Sequence, residues 1–300
     1  MIGGRVTRFE LRLGEQGYPD VLSRTPRPPR RLYGMGDPAA LVPALAIIGS
    51  RRATPYGLGC ADAFGTFAAQ NGVIVVSGAA AGCDMTAQLA AIDAAGRSVA
   101  VLGCGADVDY PARASALLAR LRAGAGAVIS EFEWGVPPLR GHFPARNRII
   151  AGLANAVLVV EAALPSGTFS TADHALEAGR DVLAVPGSIL FAGSAGCNRL
   201  IRQGAAPIGS VEDLADSLVG ADLIAPRQAA AAGMGARVLA SDQGHDVVAR
   251  ALLADPMSPD AVAVALDMDA ADVMRRIGRL EARGVVARYP DGRYGATAAH

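Results

Sequence analysis

Between residues 44 and 187 the chain alternates short, wholly apolar runs with longer stretches of helical length, and no other feature narrows its fold so far. The runs are ALAIIGS from 44, VIVVSG from 73, SVAVLG from 98, AVISEF from 127, AVLVVEA from 156 and DVLAVPG from 181. Helices are expected between them at 56–71, 84–95, 112–123, 147–154 and 169–178. A strand that is apolar on both sides must be covered on both sides, which means a parallel sheet with helices on each face. The expected fold is therefore α/β, a Rossmann-like doubly wound parallel sheet, over residues 41–220.

The flanks differ. Residues 1–40 hold seven arginines against four acids, and Pro19, Pro26, Pro28, Pro29 and Pro38 discourage any long helix. With Arg27, Arg30 and Arg31 between the prolines, this segment reads as a basic strap, extended along the main domain or touching nucleic acid. Residues 221–240 are rich in Ala and Gly and read as a linker. From 241 to 300 the apolar spacing gives short helices near 245–253, 258–265 and 269–283, then a hairpin turning at Pro290-Asp291-Gly292. That order is a small C-terminal winged helix-turn-helix domain. On its third helix Arg275, Arg279 and Arg283 share one face with Arg276 beside it, while Val273, Ile277 and Leu280 point inward. Asp267, Asp269 and Asp272 precede that face, so DNA readout and protein contact both stay open.

Formal net charge is zero and every basic residue is arginine. No global field marks a polyanion partner, and any such site must be local. The absence of lysine fits bidentate phosphate contacts, and it equally fits a GC-rich genome. No apolar run approaches the ~18 residues of a membrane span, so a cytoplasmic protein without a membrane partner is expected. The cysteines, Cys60, Cys83, Cys104 and Cys197, lack metal-ligand spacing and are expected as buried free thiols.

Ligands of open parallel sheets bind beyond the carboxyl ends of the strands. Gly49-Ser50-Arg51 follows the first run, where glycine admits an anion to the backbone and the next helix offers its positive end. It is not a G-x-G-x-x-G loop, which removes the usual support for a dinucleotide. Arg146, Asn147 and Arg148 are placed on a loop entering a helix just after Phe143 and Pro144, a combination suited to phosphates and an unstacked base. The alternative is that Arg146 or Arg148 pairs with Glu131 or Glu161. Pro165-Ser166-Gly167-Thr168 leads into a helix with Thr171, Asp173 and His174; these hydroxyls cap the helix or cradle a phosphate. Asp107, Asp109 and Tyr110 follow a GCG turn, where an acid is expected to cap the next helix. His174 has no partner predictable from spacing. With no G-x-S-x-G elbow, Walker sequence or HExxH, no catalytic residue, cofactor or metal is expected.

Six blocks carry a resemblance: IIGSRRATPYG (47–57), VIVVSGAAAGCDMTA (73–87), SVAVLGCGADVDYP (98–111), FPARNRIIAGLANAVLVVEA (143–162), SGTFSTADHALEAGRDVLAVPG (166–187) and GCNRLIRQGA (196–205). In this order they resemble the DNA-processing protein A family (DprA, or Smf). GYPDVL and LYGMGDP in the strap are similar to that family too. The resemblance implies a positive pocket for single-stranded DNA, a homodimer, and delivery of RecA recombinase onto DNA taken up in natural transformation. It assigns Gly49, Ser50, Arg51, Phe143, Arg146, Asn147, Arg148, Ser166, Gly167, Thr171 and Asn198 to that pocket, with Arg140 just before the Phe-Pro motif. Ala81 and Gln88 depart from it, standing where relatives usually have Arg and His.

Two rival functions follow from the same sequence. PSGTFSTAD faintly resembles the PGGxGTxxE loop of Rossmann phosphoribohydrolases acting on nucleoside monophosphates, but Ala172 stands where their catalytic glutamate belongs. A transcription regulator using the winged helix would prefer duplex DNA. On the leading reading the chain is not an enzyme, and Arg51, Arg146 and Arg148 are expected to form one phosphate-binding surface.

Overall fold

The computed structural model describes residues 7–225, 247–254, 256–289 and 291–296. The linker expected at 221–240 lies mostly outside them, as does Pro290 of the expected turn.

Nine strands form one mostly parallel sheet. In chain order they are β1 (Arg8–Arg12), β2 (Arg31–Gly36), β3 (Ala44–Ile48), β4 (Val75–Ser77), β5 (Ser98–Val101), β6 (Gly126–Ser130), β7 (Ala154–Val159), β8 (Asp181–Ala184) and β9 (Ala206–Pro207). Their spatial order is β1-β2-β6-β5-β4-β3-β7-β8-β9. From β3 the chain winds outward through β4, β5 and β6, then returns to lay β7 on the other side of β3. The loops after β3 and β7 therefore diverge, which opens a crevice at the carboxyl end of the sheet.

Successive side chains on β3 serve opposite layers. Ala44, Ala46 and Ile48 join one buried cluster, and Leu45 and Ile47 join another. The first layer is closed by α1 (Asp20–Ser23), α5 (His142–Leu153), α6 (Thr168–Glu177) and α7 (Ala195–Arg202). The second is closed by α2 (Pro55–Gln70), α3 (Cys83–Asp93) and α8 (Val211–Gly220). Leu117, Leu118 and Leu121, from α4 (Ser115–Arg120) and the turn after it, fill a third cluster under β5 and β6. All four cysteines are free and buried, and burial pushes the thiols of Cys60 and Cys197 up to about 12.

The N-terminal arm is more than a strap. β1 pairs antiparallel with β2, and β2 pairs antiparallel with β6, so the arm extends the sheet. Alternating exposure along β1 is the signature of an edge strand with one wet face. Pro26, Pro28 and Pro29 occupy the connection between α1 and β2, where Tyr18 donates a hydrogen bond to the Pro29 carbonyl.

The C-terminal domain consists of α9 (Val247–Ala254), α10 (Pro259–Leu266), α11 (Ala270–Ala282) and a hairpin of β10 (Val286–Arg288) and β11 (Tyr294–Ala296). Val248, Leu252, Val262, Val273, Ile277, Leu280 and Val286 make its core. This is the winged-helix arrangement, and the Arg293 guanidinium lies 5.2 Å from the Phe191 ring of the main domain.

Candidate nucleic-acid interface

Glycine and a buried acid shape the loop after β3. A Cβ on Gly49 would stand 2.7 Å from the Cys83 sulfur, so only glycine lets this loop close onto the start of α3. Thr54 caps α2, accepting from the Gly57 amide, and its hydroxyl donates to Glu161 at 2.5 Å. Burial raises the Glu161 carboxyl above its ordinary value, and the Thr54 hydrogen bonds oppose the rise. Glu161 is thus committed to the β3 loop and is not a partner of Arg146 or Arg148. With its floor fixed, the loop exposes Arg51 and holds Ser50 at the crevice.

The helix expected from 147 begins at His142, with Pro144 in its first turn, where the missing N–H costs nothing. Arg146 and Arg148 are therefore helical residues rather than loop residues. At 3.6 residues per turn, positions two apart point roughly 200° away from each other. Phe143, Arg146, Asn147 and Ile150, spaced i, i+3, i+4 and i+7, face the crevice. Arg148 faces the other way, and its guanidinium grips Glu131 through two bonds of 2.7 and 2.6 Å. The shared surface expected of Arg51, Arg146 and Arg148 is thereby reduced to Arg51 and Arg146.

Arg146 is buried, and donates to the carbonyls of Gly78 and Val101 at the ends of β4 and β5. Burial lowers its pKa to about 10, the nearby Asp84 carboxylate works against the fall, and the charge of Arg51 adds to it. Burial raises Asp84 in turn, with Arg146 and the Gly78 amide opposing. Gly78 has to be glycine, because a Cβ there would come within 2.6 Å of the Arg146 guanidinium.

A cavity of about 410 Å³ opens above Arg146 and Asp84. Of the residues assigned by sequence, it collects Gly49, Ser50, Arg51, Phe143, Arg146, Asn147, Ser166, Gly167 and Thr171. Arg51 lies over the Phe143 ring at 5.8 Å. At the far wall Ser166, Gly167 and Thr168 lead into α6, and the Ser166 hydroxyl accepts from the Thr168 amide.

Three assigned residues lie elsewhere. Arg148 lines a separate groove with Arg30, Arg31, Tyr33 and Glu133. Asn198 brackets Gly187, accepting from its amide and donating to its carbonyl. Arg140 is exposed just before α5, outside the cavity lining. The loop acids do not cap a helix either: Asp107 accepts from the Gly135 amide and Asp109 pairs with Arg122. His174 does have a partner, Glu177 at 3.1 Å, with Arg27 bound to the same carboxylate. Gln88 braces the crevice from behind, donating to Ser98 and Val99 and accepting from the Ala79 amide.

Sequence reasoning passed over Asp84 and Ser170. Asp84 sits in a quoted block, at the first turn of a helix after a strand end, and that position was the available signal.

On α11 one carboxylate offsets part of the basic face. Arg275 and Arg276 both bond Asp272 at 3.2 Å, and Asp269 caps the helix through the amides of Ala271 and Asp272. Arg279 lies in the last turn and Arg283 at the C-cap. Among the described residues no cluster of His, Cys, Asp and Glu could hold a metal ion, and no helix is long and apolar enough to cross a membrane.

Comparison with known proteins gives the same picture. Residues 10–219 match the family model described as DNA recombination-mediator protein A, and residues 221–292 match the DprA winged helix domain. Protein Smf of Escherichia coli is 45% identical over 202 residues, which cover 67% of this chain and 54% of that protein. DNA processing protein DprA of Streptococcus pneumoniae is 41% identical over 198 residues, 66% of this chain and 70% of the relative. The chain thus spans about half to two thirds of these relatives. The X-ray structure of the Streptococcus pneumoniae protein superposes with a TM-score of 0.66 at 38% identity, covering 69% of this chain and 73% of the other. A Helicobacter pylori DNA processing protein A, whose structure concerns its single-stranded DNA binding mode, gives 0.64 at 30% identity, covering 72% and 98%. The chain belongs to the DNA recombination-mediator protein A family.

Proposed function

We propose that this protein binds single-stranded DNA in the cavity between β3, α5 and α6 and mediates recombination without catalysing a reaction. The observation that carries the reading is the make-up of that cavity: Arg51, Arg146, Ser50 and the small polar residues Ser166, Thr168 and Thr171 face one space beside the Phe143 ring. Phosphates suit the first group and an unstacked base suits the ring. Buried bases of a duplex could not reach Phe143, so the site selects single strands.

The phosphoribohydrolase alternative lacks its acid. Ala172 is wholly buried in the core, and the carboxylate at the cavity floor, Asp84, is held by the Gly78 amide and Arg146. A mediator must also pass its strand to a recombinase, so RecA is the proposed partner, in the cytoplasm, during uptake of DNA in natural transformation. A homodimer completes the proposal, since two linked sites on one strand gain affinity from effective concentration. Light scattering at micromolar concentration should give twice the chain mass, and a monomer would contradict that part.

The deciding experiment compares single-stranded and duplex oligonucleotides of one sequence at one salt concentration, with a nucleoside monophosphate hydrolysis assay beside it. Tighter binding of the single strand and no release of ribose phosphate are expected. A duplex preference or steady hydrolysis would overturn the reading.

A further inference from the structure

A second cavity of about 270 Å³ adjoins the first, and Arg51, Ala80, Phe143 and Arg146 line both. Its own walls are Arg52, Tyr110, Pro111 and Arg113, with Ala81, Leu102 and Gly103 behind them. Four arginines line this space and not one carboxylate does. The acids of the same loop are turned elsewhere: Asp107 holds the Gly135 amide and Arg8, and Asp109 holds Arg122. Other arginines of the main domain are matched to a carboxylate, as in Arg97 with Asp37, Arg120 with Asp93, Arg122 with Asp109 and Arg148 with Glu131. Arg52 and Arg113 have no ion pair among the described residues.

The aromatic content is as pointed as the charge. The Tyr110 ring, 40% exposed, stands 5.5 Å from the Phe143 ring at an interplanar angle of 37°. Phe143 in turn packs on Gly103, where a Cβ would meet its ring at 2.9 Å. Phe143 therefore forms a partition between the cavities, while Tyr110 leaves much of its surface to solvent. Unpaired arginines beside exposed aromatic rings form the combination that holds a nucleic-acid strand, phosphates on the cations and bases on the rings.

We propose that this second cavity is a nucleotide subsite that takes the neighbour of the nucleotide held in the first, with its base against Tyr110 and its phosphates on Arg52 and Arg113. The inference rests on the single-strand reading above and adds to it a direction: the strand crosses Phe143 and runs toward the loop after β5.

The test titrates the full chain with fluorescent oligothymidylate, long enough to cross both cavities, over a range of salt. Tyr110→Ala should weaken binding roughly tenfold, the loss of one stacked base, with an unchanged salt slope. Arg113→Ala should weaken binding and lower the slope of log affinity against log salt by about 0.7. Tyr110→Phe, which keeps the ring, should bind as the parent does. If Tyr110→Ala and Arg113→Ala are folded by circular dichroism and bind like the parent while Phe143→Ala is weakened, the strand is confined to the first cavity and the proposal is wrong. Should Tyr110→Ala misfold, Tyr110→Leu replaces it, and Arg113, exposed and outside any ion pair, tests the site independently. Failure of the parent itself to bind the probe would overturn the single-strand reading, and the subsite with it.

Discussion

The carboxyl edge of the central strands and the third helix of the C-terminal domain both gather arginines, and they put them to opposite use. At the strand edge Arg51, Arg52 and Arg113 face open space without an ion pair, and Arg146 sits beneath them on backbone carbonyls. On α11, Arg275 and Arg276 are spent on Asp272 within their own helix. The lesson concerns acids more than bases. In a chain of zero net charge the proposed polyanion site depends on where the carboxylates are placed, none lining the second cavity, and counting arginines along the sequence does not find it.

That contrast can be broken by substitution, and the largest effect should fall on the floor of the cavity. Arg146→Ala leaves the buried carbonyls of Gly78 and Val101 without their donor and should cost roughly 2 to 6 kcal/mol of stability, at about 1 to 3 kcal/mol for each buried group left unsatisfied; denaturant unfolding reads it directly. An unchanged midpoint would show that the floor is not braced as described. Arg148→Ala removes a half-buried bidentate pair with Glu131, so a smaller loss of about 1 to 3 kcal/mol is expected, with single-strand affinity close to that of the parent. A large loss of affinity in folded Arg148→Ala would instead return this arginine to the DNA surface. The double change Arg275→Ala and Arg276→Ala should leave single-strand binding within about twofold, since both lie outside the lining of either cavity and share Asp272 in exposed pairs that carry little energy. Strong weakening there would erase the distinction between the two regions.

The smallest effect concerns the tie between the arm and α6. His174 first, and then Arg27, hold the Glu177 carboxyl below the usual range. A depressed folded value means that the contribution is present above the ordinary glutamate pKa of about 4.3 and is lost as pH falls through the folded one. The melting temperatures of the parent and Glu177→Gln should differ slightly at neutral pH and converge in acid. A gap that widens in acid would contradict this sign.

Much of this architecture is legible in the sequence because its signals are local. The apolar runs specify buried strands, the six blocks specify the family, and the inward stripe of Val273, Ile277 and Leu280 specifies the third winged-helix element. What escapes is whatever depends on strand order or on the exact start of a helix. β2 joins the sheet by pairing with β6, almost a hundred residues away, and nothing in the proline-rich arm announces it. Starting α5 at His142 instead of 147 changes Arg146 and Arg148 from neighbours on a loop into opposite faces of one helix. The first lines the cavity and the second does not, although the residues are two apart. Tyr110 was legible as a loop residue only, because its partner Phe143 comes from another strand crossover.

The most direct test of the central claim is the salt dependence of single-strand affinity in the parent, Arg51→Ala and Arg148→Ala. Each phosphate contact on single-stranded DNA contributes roughly 0.7 to the slope of log affinity against log salt. Arg51→Ala should lose about that amount and bind more weakly, while Arg148→Ala keeps the slope of the parent. Equal slopes in parent and folded Arg51→Ala, or a loss confined to Arg148→Ala, would contradict a phosphate site between the end of β3 and the start of α5.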